Sequence, residues 1–158
     1  MKKLIGILLV AILLGSGYWA WSGLQGAQTG ATNSAGRQSL AMEKSNDANN
    51  VTADVTFLTP QGKASDNKLT FRIRLNTHMV PLSSYDIAKS AAVSSPTGIA
   101  ATGFSWKPES EQSHHRSGLL TVPNNGLWGP NTEWLSLELK NLAGMPSREF
   151  RWQGNEMR

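Results

Sequence analysis

The chain has 158 residues, with fifteen Lys and Arg against eleven Asp and Glu, three His and no Cys. Lack of cysteine excludes a disulfide framework, a thiolate nucleophile, Cys-ligated zinc or iron–sulfur sites and the lipid-modified cysteine of a bacterial lipoprotein. The net charge of +4 is no nucleic-acid footprint, because Arg72, Arg74, Lys140, Arg148 and Arg151 are scattered and often neighboured by acids, whereas nucleic-acid binders gather positive charge on one face.

Met1, Lys2 and Lys3 open the chain, followed by an apolar run from Leu4 to Trp21 that closes on Tyr18, Trp19 and Trp21. Its eighteen residues would reach roughly 27 Å as a helix, close to the roughly 30 Å hydrocarbon core of a bilayer. The lysines hold their end in the cytoplasm and the aromatics prefer the far interface. Residues 1–21 are therefore expected to be a single-pass transmembrane signal-anchor in the cell membrane, with the rest periplasmic or on the cell surface. They also fit a secretory signal peptide, with Ala20 and Ser22 as the −3 and −1 positions before Gly23. The run is longer than the usual h-region, which favours retention, and both alternatives export the C-terminal part.

From Ser22 to about Asn50 the chain is mostly Gly, Ala, Ser, Thr, Asn and Gln, with Leu24, Leu40 and Met42 as its larger apolar residues. Such a composition cannot offset the entropy of its own ordering, so residues 22–50 read as a flexible linker with a weak helical turn at most around Ser39–Ser45. Residues 51–158, carrying eleven Lys and Arg against nine Asp and Glu, are enough for one extracytoplasmic domain.

Period two begins at Val51, where Val51, Ala53, Val55 and Phe57 alternate with Thr52, Asp54 and Thr56; Leu69, Phe71, Ile73 and Leu75 then alternate with Thr70, Arg72 and Arg74. Further strands are expected at Ala91–Ser94, Ile99–Trp106, Gly118–Val122, Trp134–Leu142 and Glu149–Trp152, separated by Pro, Gly, Asn and Ser clusters. Ser83–Ala92 has room for one or two helical turns. About seven short strands point to an all-β fold, an immunoglobulin-like antiparallel β-sandwich without the Cys–Trp–Cys signature, with a small open barrel as the alternative.

Chemistry has few places to reside. His78 follows the second strand, and His114-His115 lies in the polar stretch Glu109–Arg116. With Asp86, or Glu109 or Glu111, as an oxygen ligand, His78, His114 and His115 form a candidate copper or zinc site. Adjacent residues on a strand face opposite ways, so the two neighbouring histidines share an ion only on an irregular loop. The same groups also read as a strand-end residue and a solvated pair. A Ser/His/Asp hydrolase drawn from Asn76–Ile87 lacks a G-x-S-x-G elbow or any related motif, and the competing reading of that stretch is a crossover loop in which Met79, Val80, Leu82 and Ile87 tuck under the sandwich and Asp86 caps a turn. Trp128, among the turn formers Pro123–Asn131, is either a plug over the core or a partner-binding probe. The expectation for function is a membrane-anchored, extracytoplasmic interaction or accessory module without catalytic activity or a resident cofactor, held to the membrane by its N-terminal helix and binding a protein partner in the cell envelope. The alternative is the copper- or zinc-binding domain.

Overall fold

Alternating burial turns this chain into sheets. In a computed structural model, which describes residues 42–59 and 67–157, Val51, Ala53, Val55 and Phe57 are buried while the residues between them are half-buried on the opposite face. Eight strands are found among the described residues: β1 (Glu43–Ala48), β2 (Val51–Phe57), β3 (Lys68–Thr77), β4 (Ala91–Ser94), β5 (Ser105–Glu111), β6 (His115–Pro123), β7 (Trp134–Leu142) and β8 (Met145–Gln153). A single helical turn, α1 (Ile87–Ser90), precedes β4. All pairings are antiparallel and make two sheets, one of five strands in the order β1-β2-β3-β6-β5 and one of three in the order β4-β7-β8. The arrangement is an all-β sandwich. The expectations for residues 1–21 and for most of the linker lie outside the described residues; among the described residues no helix is long and apolar enough to cross a membrane.

The two sheets meet through aromatic rings. Phe57 stacks on Phe71 at 4.9 Å between centroids, and Trp152 from the other sheet lies 5.5 Å from Phe57 and 5.6 Å from Phe71. Leu69, Ile73, Leu75, Leu120 and Val122 join Leu135, Leu137, Leu139 and Phe150 in the same buried cluster. Full burial of each large side chain contributes about 1.5–3 kcal/mol, which is how a domain without disulfides holds together.

Two strands depart from the sequence reading. β1 lies inside the stretch whose composition resembles a tether. As an edge strand it is held by ladder hydrogen bonds and by polar contacts to β2, such as Ser45 to Asp54 at 2.7 Å, so no apolar alternation marks it. Asn49 and Asn50, at φ 48° and 61°, form the two-residue turn into β2; Asn tolerates this left-handed backbone, and the turn's twist matches that of the strands. The stretch expected as Ile99–Trp106 becomes strand only from Ser105, because Gly103 sits at φ 78° and breaks the run. β5 is instead the polar sequence through Glu111, an edge strand with a register shift between Pro108 and Ser110 that discourages further pairing.

Two arginines point inward. Arg148 of β8, 1 % exposed, donates to the carbonyls of Val51 at 2.7 Å and Ala48 at 2.5 Å, fastening the three-stranded sheet to the β1–β2 hairpin. Burial pushes its guanidinium below the ordinary arginine value, although the charges of Tyr85 and Asp47 work the other way. Arg116 of β6, 7 % exposed, organises the site described next.

Candidate functional site

The outer face of the five-stranded sheet carries a polar row at one end. Strand register places Asp47 of β1 opposite Thr52 of β2, Thr52 opposite Asn76 of β3, and Asn76 opposite His115 of β6. Hydrogen bonds run along this row, from the Thr52 hydroxyl to Asp47 at 3.2 Å and between Asn76 Oδ1 and His115 Nδ1 at 3.1 Å. With the amide oxygen as acceptor, Nδ1 of His115 carries the proton and Nε2 offers its lone pair.

His78 arrives from the bend that follows β3. Its ring lies edge-on to His115, with centroids 6.3 Å apart. The bend is shaped by Thr77, whose side chain points inward, donates to the Asn50 carbonyl at 2.7 Å and accepts from the amides of Met79 and Val80, each at 3.1 Å. A groove of about 350 Å³ results, walled by Asp47, Thr52, Asn76, His78 and Met79.

Arg116 locks the His78 loop onto the strand that bears His115. Its guanidinium donates to the carbonyls of Leu82 at 2.8 Å and Tyr85 at 2.6 Å and reaches Glu111 at 3.5 Å. Backbone bonds reinforce this, from Thr77 N to the His114 carbonyl and from Leu82 N to the Ser113 carbonyl. The Tyr85 hydroxyl donates to the Lys140 carbonyl at 2.9 Å, tying the same loop to the second sheet. Burial pushes the Tyr85 phenol above its ordinary value, outweighing the opposing pull of Ser90 and Arg148.

Of the four sequence-predicted metal ligands, the structure brings two together. His78 and His115 meet; His114, next to His115, is exposed and contributes its carbonyl to the loop. Asp86 is engaged elsewhere as the N-cap of α1, accepting from the Lys89 amide at 3.1 Å and pairing with the Lys89 ammonium at 3.1 Å. These contacts, the amide bond first, hold its carboxyl below the ordinary range. Among the described residues no three His, Asp or Glu side chains gather at metal-binding spacing. No family model, curated protein or solved structure matches the chain. Of the hydrolase constellation drawn from Asn76–Ile87, Asp86 is turned to its own helix.

Trp128 packs edge-on against Phe57 at 6.1 Å, and Asn124 clamps its backbone through two hydrogen bonds of 2.8 and 2.9 Å. One side of its ring thus plugs the core; the other walls a groove of about 480 Å³ with Pro96, Pro130 and Thr132.

Sequence reasoning missed Asn76, Met79 and Arg116. Counting back in twos from the inward Val122 and Leu120 through Gly118 reaches Arg116, so strand parity was the signal that marked it. Asn76 and His115 are 39 residues apart and become neighbours only through register.

Proposed function

We propose that the chain is an exported, membrane-tethered, non-enzymatic binding module of immunoglobulin-like topology whose ligand is a transition-metal ion, copper or zinc, taken at the His78–His115 end of the outer sheet face. Export and tethering rest on Lys2, Lys3 and the apolar run to Trp21. Support for the immunoglobulin-like reading comes from strand order: with β1 set aside as an added edge strand, β2-β3-β6-β5 over β4-β7-β8 corresponds to the A-B-E-D and C-F-G sheets of a constant-type domain. Trp128, presenting one side to a groove, is the place at which a protein partner of the envelope would dock.

One observation carries the metal reading. Two imidazoles lie with centroids 6.3 Å apart on an exposed face, a spacing of the order that two rings bound at about 2.0 Å to one ion would take up. Asn76, bonded to the far nitrogen of His115, plays the part of the outer partner that fixes a ligand's tautomer and ring orientation. The test is thermal unfolding of the detergent-solubilised full chain with and without Cu²⁺ or Zn²⁺. An ion at a hundredfold excess over its Kd stabilises by about 2.7 kcal/mol, so the melting temperature should rise by at least about 5 °C. A melt unmoved by both ions, and equally by monovalent copper, would remove the metal reading.

A further inference from the structure

We infer that the ion this face is built to hold is monovalent copper, with the thioether of Met79 as the third ligand beside His78 and His115. The inference rests on the metal reading above and narrows it to one ion and one further residue.

Ligand number comes first. Structural zinc is almost always held by four ligands and divalent copper by square-planar or tetragonal nitrogen and oxygen sets. Here two imidazoles converge, and no third His, Asp or Glu side chain joins them among the described residues. A closed-shell monovalent copper ion is satisfied by two or three donors, and thioether sulfur is among the soft ligands that select it.

Met79 supplies the second line of argument. It is 73 % exposed, and Ile99 at 41 % is the other exposed large apolar residue found among the described residues. Its neighbours in the same loop behave as apolar residues of a crossover do, with Leu82 and Ile87 buried at 1 % each. Met79 departs from them because Thr77, pointing inward, holds the amides of Met79 and Val80 at 3.1 Å and turns the bend outward. Met79 therefore lines the same groove as His78, and its flexible thioether side chain is free of the core.

The third line is orientation. The bond between Asn76 Oδ1 and His115 Nδ1, at 3.1 Å, engages Nδ1 and leaves Nε2 as the nitrogen available to an ion, and Arg116 and Thr77 pin the loop that carries His78 and Met79. Supporting contacts of this kind, on His115 and on the loop that carries His78 and Met79, are what a selective site needs.

The experiment is an anaerobic titration in which the full chain competes with the chromogenic chelator bicinchoninate for Cu⁺. The expected result is transfer of one Cu⁺ per chain, with copper K-edge absorption of the loaded protein showing nitrogen and sulfur scatterers together. His78→Ala and His115→Ala should each weaken Cu⁺ retention at least about tenfold. Met79→Leu should weaken Cu⁺ at least about tenfold yet leave the Zn²⁺ response of the melt unchanged, because thioether sulfur matters most to the soft ion. Apo-form melts that match wild type establish that these exposed-site variants remain folded. Failure to take Cu⁺ from the chelator while Cu²⁺ or Zn²⁺ still raises the melting temperature would overturn the monovalent assignment and leave the metal reading standing; failure with all three ions would overturn both. Cu⁺ retention indifferent to Met79→Leu, or to both histidine variants, would equally overturn the inference.

Discussion

At the scale of single residues, two positions show how little tolerance the backbone leaves. Gly118 of β6 lies under the Trp106 ring, and a Cβ there would stand 2.7 and 2.8 Å from two of its carbons while also meeting the Lys107 carbonyl. Gly118→Ala should therefore displace Trp106 or the β5 edge, at a cost of about 1–3 kcal/mol in chemical denaturation. Ala143 is the opposite case. It occupies the two-residue β7–β8 turn at φ 53° beside Gly144 at φ 75°, a conformation that costs an alanine roughly 1–2 kcal/mol. Ala143→Asn keeps the backbone carbonyl that accepts from Asn49 and relieves that strain. The expected gain is about 0.5–1 kcal/mol, and a lower denaturation midpoint would contradict the turn geometry.

Among elements, the loop between β3 and α1 is the informative one, because it owes its shape to groups outside itself. Arg116 satisfies two of its carbonyls and Tyr85 ties it to β7, so its conformation depends on both sheets. Arg116→Met keeps a comparable apolar stem but leaves the Leu82 and Tyr85 carbonyls unpaired, which should cost about 2–4 kcal/mol. It should also reduce the metal-induced rise in melting temperature, since His78 would lose its fixed distance from His115. Retention of the full metal response in this variant would show that the loop holds its shape without the arginine. The same parity that marks Arg116 as inward explains why β2, β3, β4 and β7 were legible and β1 and β5 were not. Apolar alternation marks strands with a buried face, whereas the two edges of the large sheet are polar and are recruited by the strand beside them.

Across the whole molecule, the ends of the described chain are fastened to each other. Trp152 Nε1 donates to the Met42 carbonyl at 2.8 Å, and Lys44 of β1 pairs at 2.6 Å with Glu156, which lies beyond β8. Burial alone would raise the Glu156 carboxyl, but its bonds to Lys44 and to the Gln153 amide outweigh that and hold it below the ordinary 4.5. Because the folded value is the lower one, the contribution is full above the unfolded value and fades as pH falls through the folded one. Wild type should therefore exceed Glu156→Gln at pH 7 by less than about 1 kcal/mol, given the solvent access of the pair. The two melts should converge in acid below the carboxylate range; a gap that persisted there would assign the effect to packing. By itself the sequence determined the all-β character, the cap at Asp86 and the inward faces of β2 and β3 with Phe57 and Phe71, because each follows from side chains within a few residues of one another. Only the tertiary structure decided that His78 meets His115 while Asp86 turns away, and that two arginines lie inside. Those outcomes depend on which segments win a place beside each other across separations of 31 to 100 residues, and local pattern carries no record of that competition.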